Sequence, residues 1–413
     1  MQDLPGPKFR NGKLKNDMVR LRKGTLVTLA TDKEVSDSET SIPLRQQDLP
    51  KYVRKGTTIY LSDGTIRLRA IKTTENEIVC KVLVGGDLFS GKGVNIPTLG
   101  EDFETFTAAD RDHVLFGLEH RVDCVAISFV RSEEDIKTAR DFVTSHIRHP
   151  EDLPWIISKI EKKRALQNLE GIIKASDGVM VARGDLGVEN PIEDVPIIQK
   201  KIIALCNALS VPVITATQML ESMTENPRPT RAEASDVANA IFDGSDAVML
   251  SAETASGKYP VEAVQMMARI IEEAEASIHE YPRPAPQERL KVAETVAELV
   301  CHASCELHMK LIAVFTHSGF TARLVSRYRP LVPIVAFTPE ATTRRRMALF
   351  WGVTARHISD IKRIDRLTVI AEKRLLEERL VRHGDVIGIV AGTPMGIRGT
   401  TNFMKFHVIG GAN

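Results

Sequence analysis

No stretch of this sequence stays apolar for longer than a buried strand needs, so no membrane-spanning helix is expected. An excess of one charge is also lacking. The 55 Lys and Arg stand against 54 Asp and Glu, for a formal net charge of +1. That balance argues against a polyanion-binding surface, so no nucleic-acid partner is expected. The 413 residues contain no internal repeat and no low-complexity tract. Asp3, Pro5 and Lys8 stand where a secretory signal would need an apolar run, so no signal peptide is expected. Cysteines are few and odd in number (Cys80, Cys124, Cys206, Cys301, Cys305), and most sit in apolar contexts. Cys301 and Cys305 lie one helical turn apart with His302 and His308 nearby. Their spacing matches no common zinc pattern, and a buried helix face is expected there. These features describe a soluble, cytoplasmic chain.

The chain is too long for one ordinary domain, and a hydrophobic content of 43% is enough for full cores. From about residue 110 to 275 it alternates strand and helix. Strands are expected over 124–129, 155–160, 178–182, 211–215 and 246–251, and helices over 132–146, 165–174, 197–209 and 231–242. Repeated βα units of this length predict a parallel sheet. Residues 9–95 differ in character, with β-branched runs and turn signals such as Ser62-Asp63-Gly64, and predict a small all-β insertion. A Pro-rich linker over 281–286 sets off a last α/β domain, with strands expected over 310–315, 334–337, 386–390 and 405–408. The resulting division is a strand stub at 1–8, the β module at 9–95, the main α/β domain at 96–280 and the last domain at 287–413.

Two segments carry the chemistry. Ile157-Ser158-Lys159-Ile160-Glu161 ends one apolar strand, and Ala182-Arg183-Gly184-Asp185-Leu186-Gly187 ends the next. Side chains alternate along a strand, so Lys159 and Glu161 point one way and Ile160 the other. Polar groups at the carboxyl ends of parallel strands are where barrel enzymes place their chemistry. A Lys between two carboxylates suits a divalent cation and a transferring phosphoryl group. A rim ion pair and an ordinary Gly-Asp turn is the competing reading of either segment alone. After the next strand come Thr217 and Gln218, with Met219 and Met223 expected to pack below. Thr230 and Glu233 form a capping-box pattern that leaves Arg228 and Arg231 unexplained. The following strand ends at Ser251 and Glu253.

These segments, with Lys92–Pro97 and Thr316-His317-Ser318-Gly319, resemble the motifs of the pyruvate kinase family in order and spacing over essentially the whole chain. The resemblance implies a (β/α)8 TIM barrel, a β lid inserted after its third strand and a C-terminal α/β regulatory domain. It implies phosphoryl transfer from phosphoenolpyruvate to ADP, giving pyruvate and ATP, with Glu161 and Asp185 holding Mg2+ or Mn2+. Lys159 would neutralise the moving phosphoryl group and the enolate oxygen. Backbone amides around Ala182, Arg183, Gly184 and Asp185 would receive the substrate carboxylate. Thr217 would direct protonation of the enolate, with Ser251 and Glu253 as outer relay members. Lys92 would reach the nucleotide phosphates, with Asp63 at the inner face of the lid. A solvated turn lysine and a hairpin aspartate are the alternatives for these two. Thr316, Ser318, Gly319 and Thr321, facing the loop over 392–402, would cradle a phosphorylated effector. A plain turn and cap is the other reading. Assembly as a homotetramer is the family expectation.

Two departures follow. Potassium-dependent members resemble Asp3-Leu4-Pro5-Gly6-Pro7-Lys8 but carry Thr in place of Leu4 and Glu in place of Lys8. The Lys8 ammonium would then stand in for the monovalent cation, so K+ independence is expected; a solvated lysine of no consequence is the alternative reading. The chain also begins at the end of the third barrel strand, five further strands are legible, and closure requires eight. The expectation is a segment of a longer protein or a natural truncation, weakly active or inactive and poorly stable alone. Two rival functions are another Mg2+-dependent enzyme acting on an enolpyruvate or 2-oxo acid, and a catalytically silent, effector-binding subunit that assembles with full-length chains.

Overall fold

A computed structural model of the chain describes residues 1–413 except 33–34, 37, 39, 47–48, 63, 98–103, 279–290, 362, 395–398 and 412–413. Asp63, the linker over 281–286 and the tip of the loop over 392–402 therefore lie outside the described residues.

Six strands form one parallel sheet in sequence order: Gln2–Asp3, Cys124–Ile127, Trp155–Ile160, Gly178–Ala182, Val213–Ala216 and Ala247–Met249. The expected strands are all present, three of them shifted or shortened by one or two residues at an end. Alternation sorts their side chains. Val125, Ile127, Ile156, Ile160, Val179 and Val213 pack against helix residues such as Ile136, Ile172 and Ile202. Cys124, Ala126, Ile157, Met180 and Ile214 form a second cluster on the other face. Two-sided burial is why these strands read as continuous apolar runs. The outermost strand, Ala247–Met249, is only half-buried.

The helix expected over 165–174 is instead two, Lys163–Gln167 and Leu169–Ala175. They break at Asn168, which leaves helical geometry and gives its side-chain amide to the Arg131 carbonyl at 3.0 Å. Such competition for backbone groups is characteristic of Asn.

Between the first and second strands of the parallel sheet the chain builds a seven-stranded sheet, antiparallel except where Leu26–Ala30 pairs with Ser41–Pro43. In-out alternation along residues 66–71 of the strand Ile66–Thr73 buries Ile66, Leu68 and Ala70 in a core shared with Val27, Ile59 and Ile78. The C-terminal sheet runs Val353–His357, Ile334–Thr338, Leu311–Phe315, Val386–Ala391 and Phe403–Val408, with only the last pairing antiparallel. Val353–His357 is not legible in the sequence. It is an edge strand with no fully buried residue, so it carries no apolar run.

Candidate active site

Lys159 is the next-to-last residue of its strand, on the face of Ile157 rather than that of Ile160. Its Nζ is 3.0 Å from Glu161 Oε1 and 3.1 Å from Asp3 Oδ1, and it donates to Ser128 Oγ at 2.9 Å. Burial works to lower the pKa of this ammonium, but Glu161 and Asp3 outweigh it and the net shift is upward. Lys159 is therefore held charged. Ser128, itself buried, donates to the Leu4 carbonyl at 2.6 Å and so ties the first strand to the site.

Glu161 is wholly buried. Its Oε2 accepts the Phe129 amide at 2.7 Å. Its Oε1 is ion-paired with Lys159 but receives no well-directed hydrogen bond. Burial raises the pKa to about 7; Lys159 opposes the rise and the neighbouring Asp185 carboxylate adds to it. Phe129 reaches Glu161 with a left-handed backbone, φ +58°, and its ring packs against Gly6, itself at φ +63°. A Cβ at Gly6 would lie 2.8 Å from that ring, so glycine is required on both counts.

A buried carboxylate oxygen without a directed donor, beside a second carboxylate, fits a hard divalent cation. Mg2+ at such sites takes one or two protein carboxylates and fills its shell with phosphate oxygens and water. Among the described residues no group of three or more His, Cys, Asp or Glu could hold a metal without such help.

The short helix Arg183–Glu189 starts where its strand ends and carries Asp185 in its first turn. The Arg183 side chain braces the neighbouring turn. Its Nη2 donates to the carbonyls of Thr217 at 2.7 Å and Gln218 at 3.1 Å, and its Nη1 donates to Asp236 at 2.7 Å. Both turn residues have positive φ, +68° and +54°, and such strain persists only where the surroundings impose it. Thr217 Oγ1 accepts the Gly184 amide at 2.8 Å. The Gly184 amide is thus already engaged, and the Arg183 side chain is structural in this arrangement.

Glu253 is fully buried and spends both oxygens on backbone, accepting the Leu220 amide at 3.1 Å and the Ser251 amide at 2.7 Å. It fixes the two loops flanking the site, and Ser251 itself is exposed. Below them Met219, Leu220 and Met223 are buried, as their apolar pattern predicts.

Between the parallel sheet and the inserted β sheet runs a cleft lined by Lys8, Asn95, Phe129, Arg131, Lys162 and Asp185, among others. Lys162 pairs with the buried Glu189 at 2.6 Å and lies 5.2 Å from the centre of the Phe129 ring. Lys8 is exposed on this cleft, and Lys92 is exposed just before the Gly93–Asn95 strand. Sequence reasoning passed over Asp3, Ser128, Arg131 and Lys162. The strand-end argument that found Lys159 could have found Asp3 and Ser128, whereas Arg131 and Lys162 follow from the cleft alone.

In the C-terminal domain, Thr316 Oγ1 accepts the Gly319 amide at 3.0 Å, and Gly319 has φ +84°. Thr321 and Thr401 are buried, with hydroxyls 2.8 Å apart, so the turn and the distant loop are joined. Ser318 is partly exposed at the turn.

An ammonium held between carboxylates at the carboxyl ends of parallel strands is an arrangement suited to phosphoryl-transfer enzymes of the barrel type. The chain matches the family models "Pyruvate kinase, barrel domain" over residues 1–264 and "Pyruvate kinase, alpha/beta domain" over residues 294–407. It is 45% identical to a pyruvate kinase of Thermotoga maritima over 405 residues, covering 98% of this chain and 85% of that one. It is 42% identical to a Bacillus licheniformis pyruvate kinase over 413 residues, covering 99% and 70%. A crystal structure of a pyruvate kinase from Cryptosporidium parvum superposes with a TM-score of 0.87 at 34% identity, covering 98% of this chain and 83% of that one. The chain belongs to the pyruvate kinase family and is an enzyme, a kinase of glycolysis. Members of the family generally use Mg2+.

Proposed function

We propose that the chain transfers the phosphoryl group of phosphoenolpyruvate to ADP, giving pyruvate and ATP. The observation that carries this is the Lys159 ammonium, 3.0 Å from the buried Glu161 carboxylate and braced by Asp3 and Ser128. Glu161 and Asp185 would hold the divalent cation, which supplies charge neutralisation at the phosphate when bound. Lys159 stays protonated and faces the phosphoryl group as its bond to the enol oxygen breaks and a bond to the terminal ADP oxygen forms. The same ammonium then meets the negative charge left on the enol oxygen. Protonation of the methylene carbon completes pyruvate, and Thr217, fixed by Gly184 and Arg183, orients the proton source there. Unengaged amides around Ala182–Asp185 receive the substrate carboxylate.

The finer readings rest on residue placement. Lys8 opens onto the cleft that Asp185 lines, which supports an ammonium replacing K+. Lys92 is exposed on the lid and free to meet nucleotide phosphates. The hydroxyl-joined turn and loop around Thr316–Thr321 suit a phosphorylated effector. A homotetramer is the assembly proposed. Lys159, Glu161, Asp185 and Thr217 all stand, which supports an active chain over a silent subunit.

The test is pyruvate formation from phosphoenolpyruvate and ADP with Mg2+, with and without K+. Turnover should be indifferent to K+ and should fall by about 10²–10³ or more in Lys159→Met, the scale of losing a preorganised charge. Turnover retained in that variant refutes the role of Lys159, and turnover that needs K+ refutes the role of Lys8.

A further inference from the structure

Lys162 is the residue after Glu161, where the strand has ended and the short helix Lys163–Gln167 begins. Its Nζ donates to Glu189 Oε1 at 2.6 Å and lies over the Phe129 ring, 5.2 Å from the ring centre. Glu189 is the last residue of the helix Arg183–Glu189, whose first turn holds Asp185, and its side chain is 2% exposed. Phe129 gives its amide to Glu161 Oε2 at 2.7 Å. One ammonium therefore touches both the ring whose backbone orients Glu161 and the helix that carries Asp185.

Phe129 needs such support. A bulky aromatic residue at φ +58° is strained, and strained backbone persists only where the surroundings over-determine it. Gly6 packs against the ring at a distance that admits no Cβ. Lys162 adds the attraction of an ammonium for the electron-rich face of the ring. Were the backbone to relax, the Phe129 amide would leave Oε2. Glu161 would then have no directed donor, since its Oε1 has none. The competing reading is an ion pair that stabilises the fold and has no bearing on the cation. Against it, the Lys162–Glu189 pair joins the two elements that carry the two carboxylates.

We infer that Lys162 is a positioning residue for the divalent cation: through Phe129 and Glu189 it fixes the placement of Glu161 and Asp185. The inference rests on the reading that these two carboxylates hold the cation. An ammonium cannot ligate a metal ion, and by charge alone its removal would tighten cation binding. Positioning predicts the opposite sign, with the loss of about tenfold or more seen when the groups that orient metal ligands are removed.

The experiment titrates the full chain with Mn2+ alone at fixed pH, following free Mn2+ by its paramagnetic resonance signal. Lys162→Met combined with Glu189→Gln removes the pair without leaving a buried carboxylate unpaired. Its affinity for Mn2+ should fall about tenfold, and Lys162→Arg, which keeps a charge that stacks on the ring, should restore most of the loss. In pyruvate formation the double variant should need about tenfold more Mg2+ for half-maximal turnover, with a smaller fall in turnover at saturating Mg2+. Where the double variant does not fold, Lys162→Gln replaces it, since it can still donate to Glu189 but carries no charge for the ring. Unchanged or tighter Mn2+ binding, or a Lys162→Arg no better than the double variant, would overturn the inference. So would a raised KM for ADP with Mn2+ affinity intact, which would make Lys162 a nucleotide contact. Glu161→Gln separates the two levels: binding that it weakens and the double variant does not sinks the positioning role alone. Binding that Glu161→Gln leaves unchanged sinks the assigned cation site as well.

Discussion

Glu161 shows how environment changes the task of a residue that composition treats as ordinary. Its carboxyl is pushed from an ordinary value of 4.5 to about 7, first by burial and then by Asp185. A carboxyl whose folded pKa lies above its unfolded one opposes folding once charged. Without a cation, its contribution to stability is greatest below pH 4.5 and declines as pH rises to about 7. A bound divalent cation must displace that proton. Affinity for Mg2+ should therefore weaken below pH 7, by up to about tenfold per unit, with proton uptake or release visible by calorimetry in buffers of different ionisation enthalpy. Affinity that stays flat between pH 6 and 8 would remove Glu161 from the ligand set. Lys159 and Glu161 were legible because strand alternation is a strict period of two. The partners of Arg183 were not, because residues 34 to 53 positions away in sequence meet it only through the fold.

At the scale of elements, the helix Arg231–Phe242 begins with the capping box its sequence announces. Thr230 Oγ1 accepts the Glu233 amide at 3.2 Å, and Glu233 accepts the Thr230 amide at 2.7 Å. Glu233 also accepts the Ser222 amide at 2.7 Å, which ties this helix to the turn below Thr217. Burial works against the charged Glu233, but these hydrogen bonds outweigh it and hold its pKa below the usual value. Thr230→Ala should cost about 1 kcal/mol of stability in denaturant titration, with a smaller effect on turnover. An unchanged unfolding midpoint would show that the cap contributes nothing here. Local signals of this kind span three or four residues and survive in any fold. The half-exposed edge strand Val353–His357 lacks such a signal, since its pairing with Ile334–Thr338 and not its side chains makes it a strand.

For the whole molecule, Arg329 is one of the residues that bond the catalytic sheet to the C-terminal domain. From a positive-φ backbone it reaches Asp246, the Asn207 side chain at 2.8 Å and the Gly244 carbonyl at 2.8 Å, with Trp351 stacked 5.4 Å away. Arg329→Met leaves the Asp246 carboxylate buried without its cation, a loss of about 3–5 kcal/mol at such pairs. Calorimetry should then resolve two transitions where the parent chain shows more cooperative melting, with the domains unfolding separately. Retention of the parent profile would show that the apolar contacts at the junction suffice without the ion pair.

The sequence by itself determined the order of the strands in the parallel sheet, the face on which Lys159 and Glu161 project, and the cap of the helix Arg231–Phe242, because each depends on periodicity or on neighbours a few residues apart. It also determined the family, through motifs whose order and spacing persist along the chain. Only the tertiary structure decided which charges meet: Asp3 with Lys159, Arg183 with the Thr217 turn, and Arg329 with Asp246. Those encounters depend on burial and on through-space distance. Both arise when sheets and helices close on one another, and neither is encoded in any local stretch of chain.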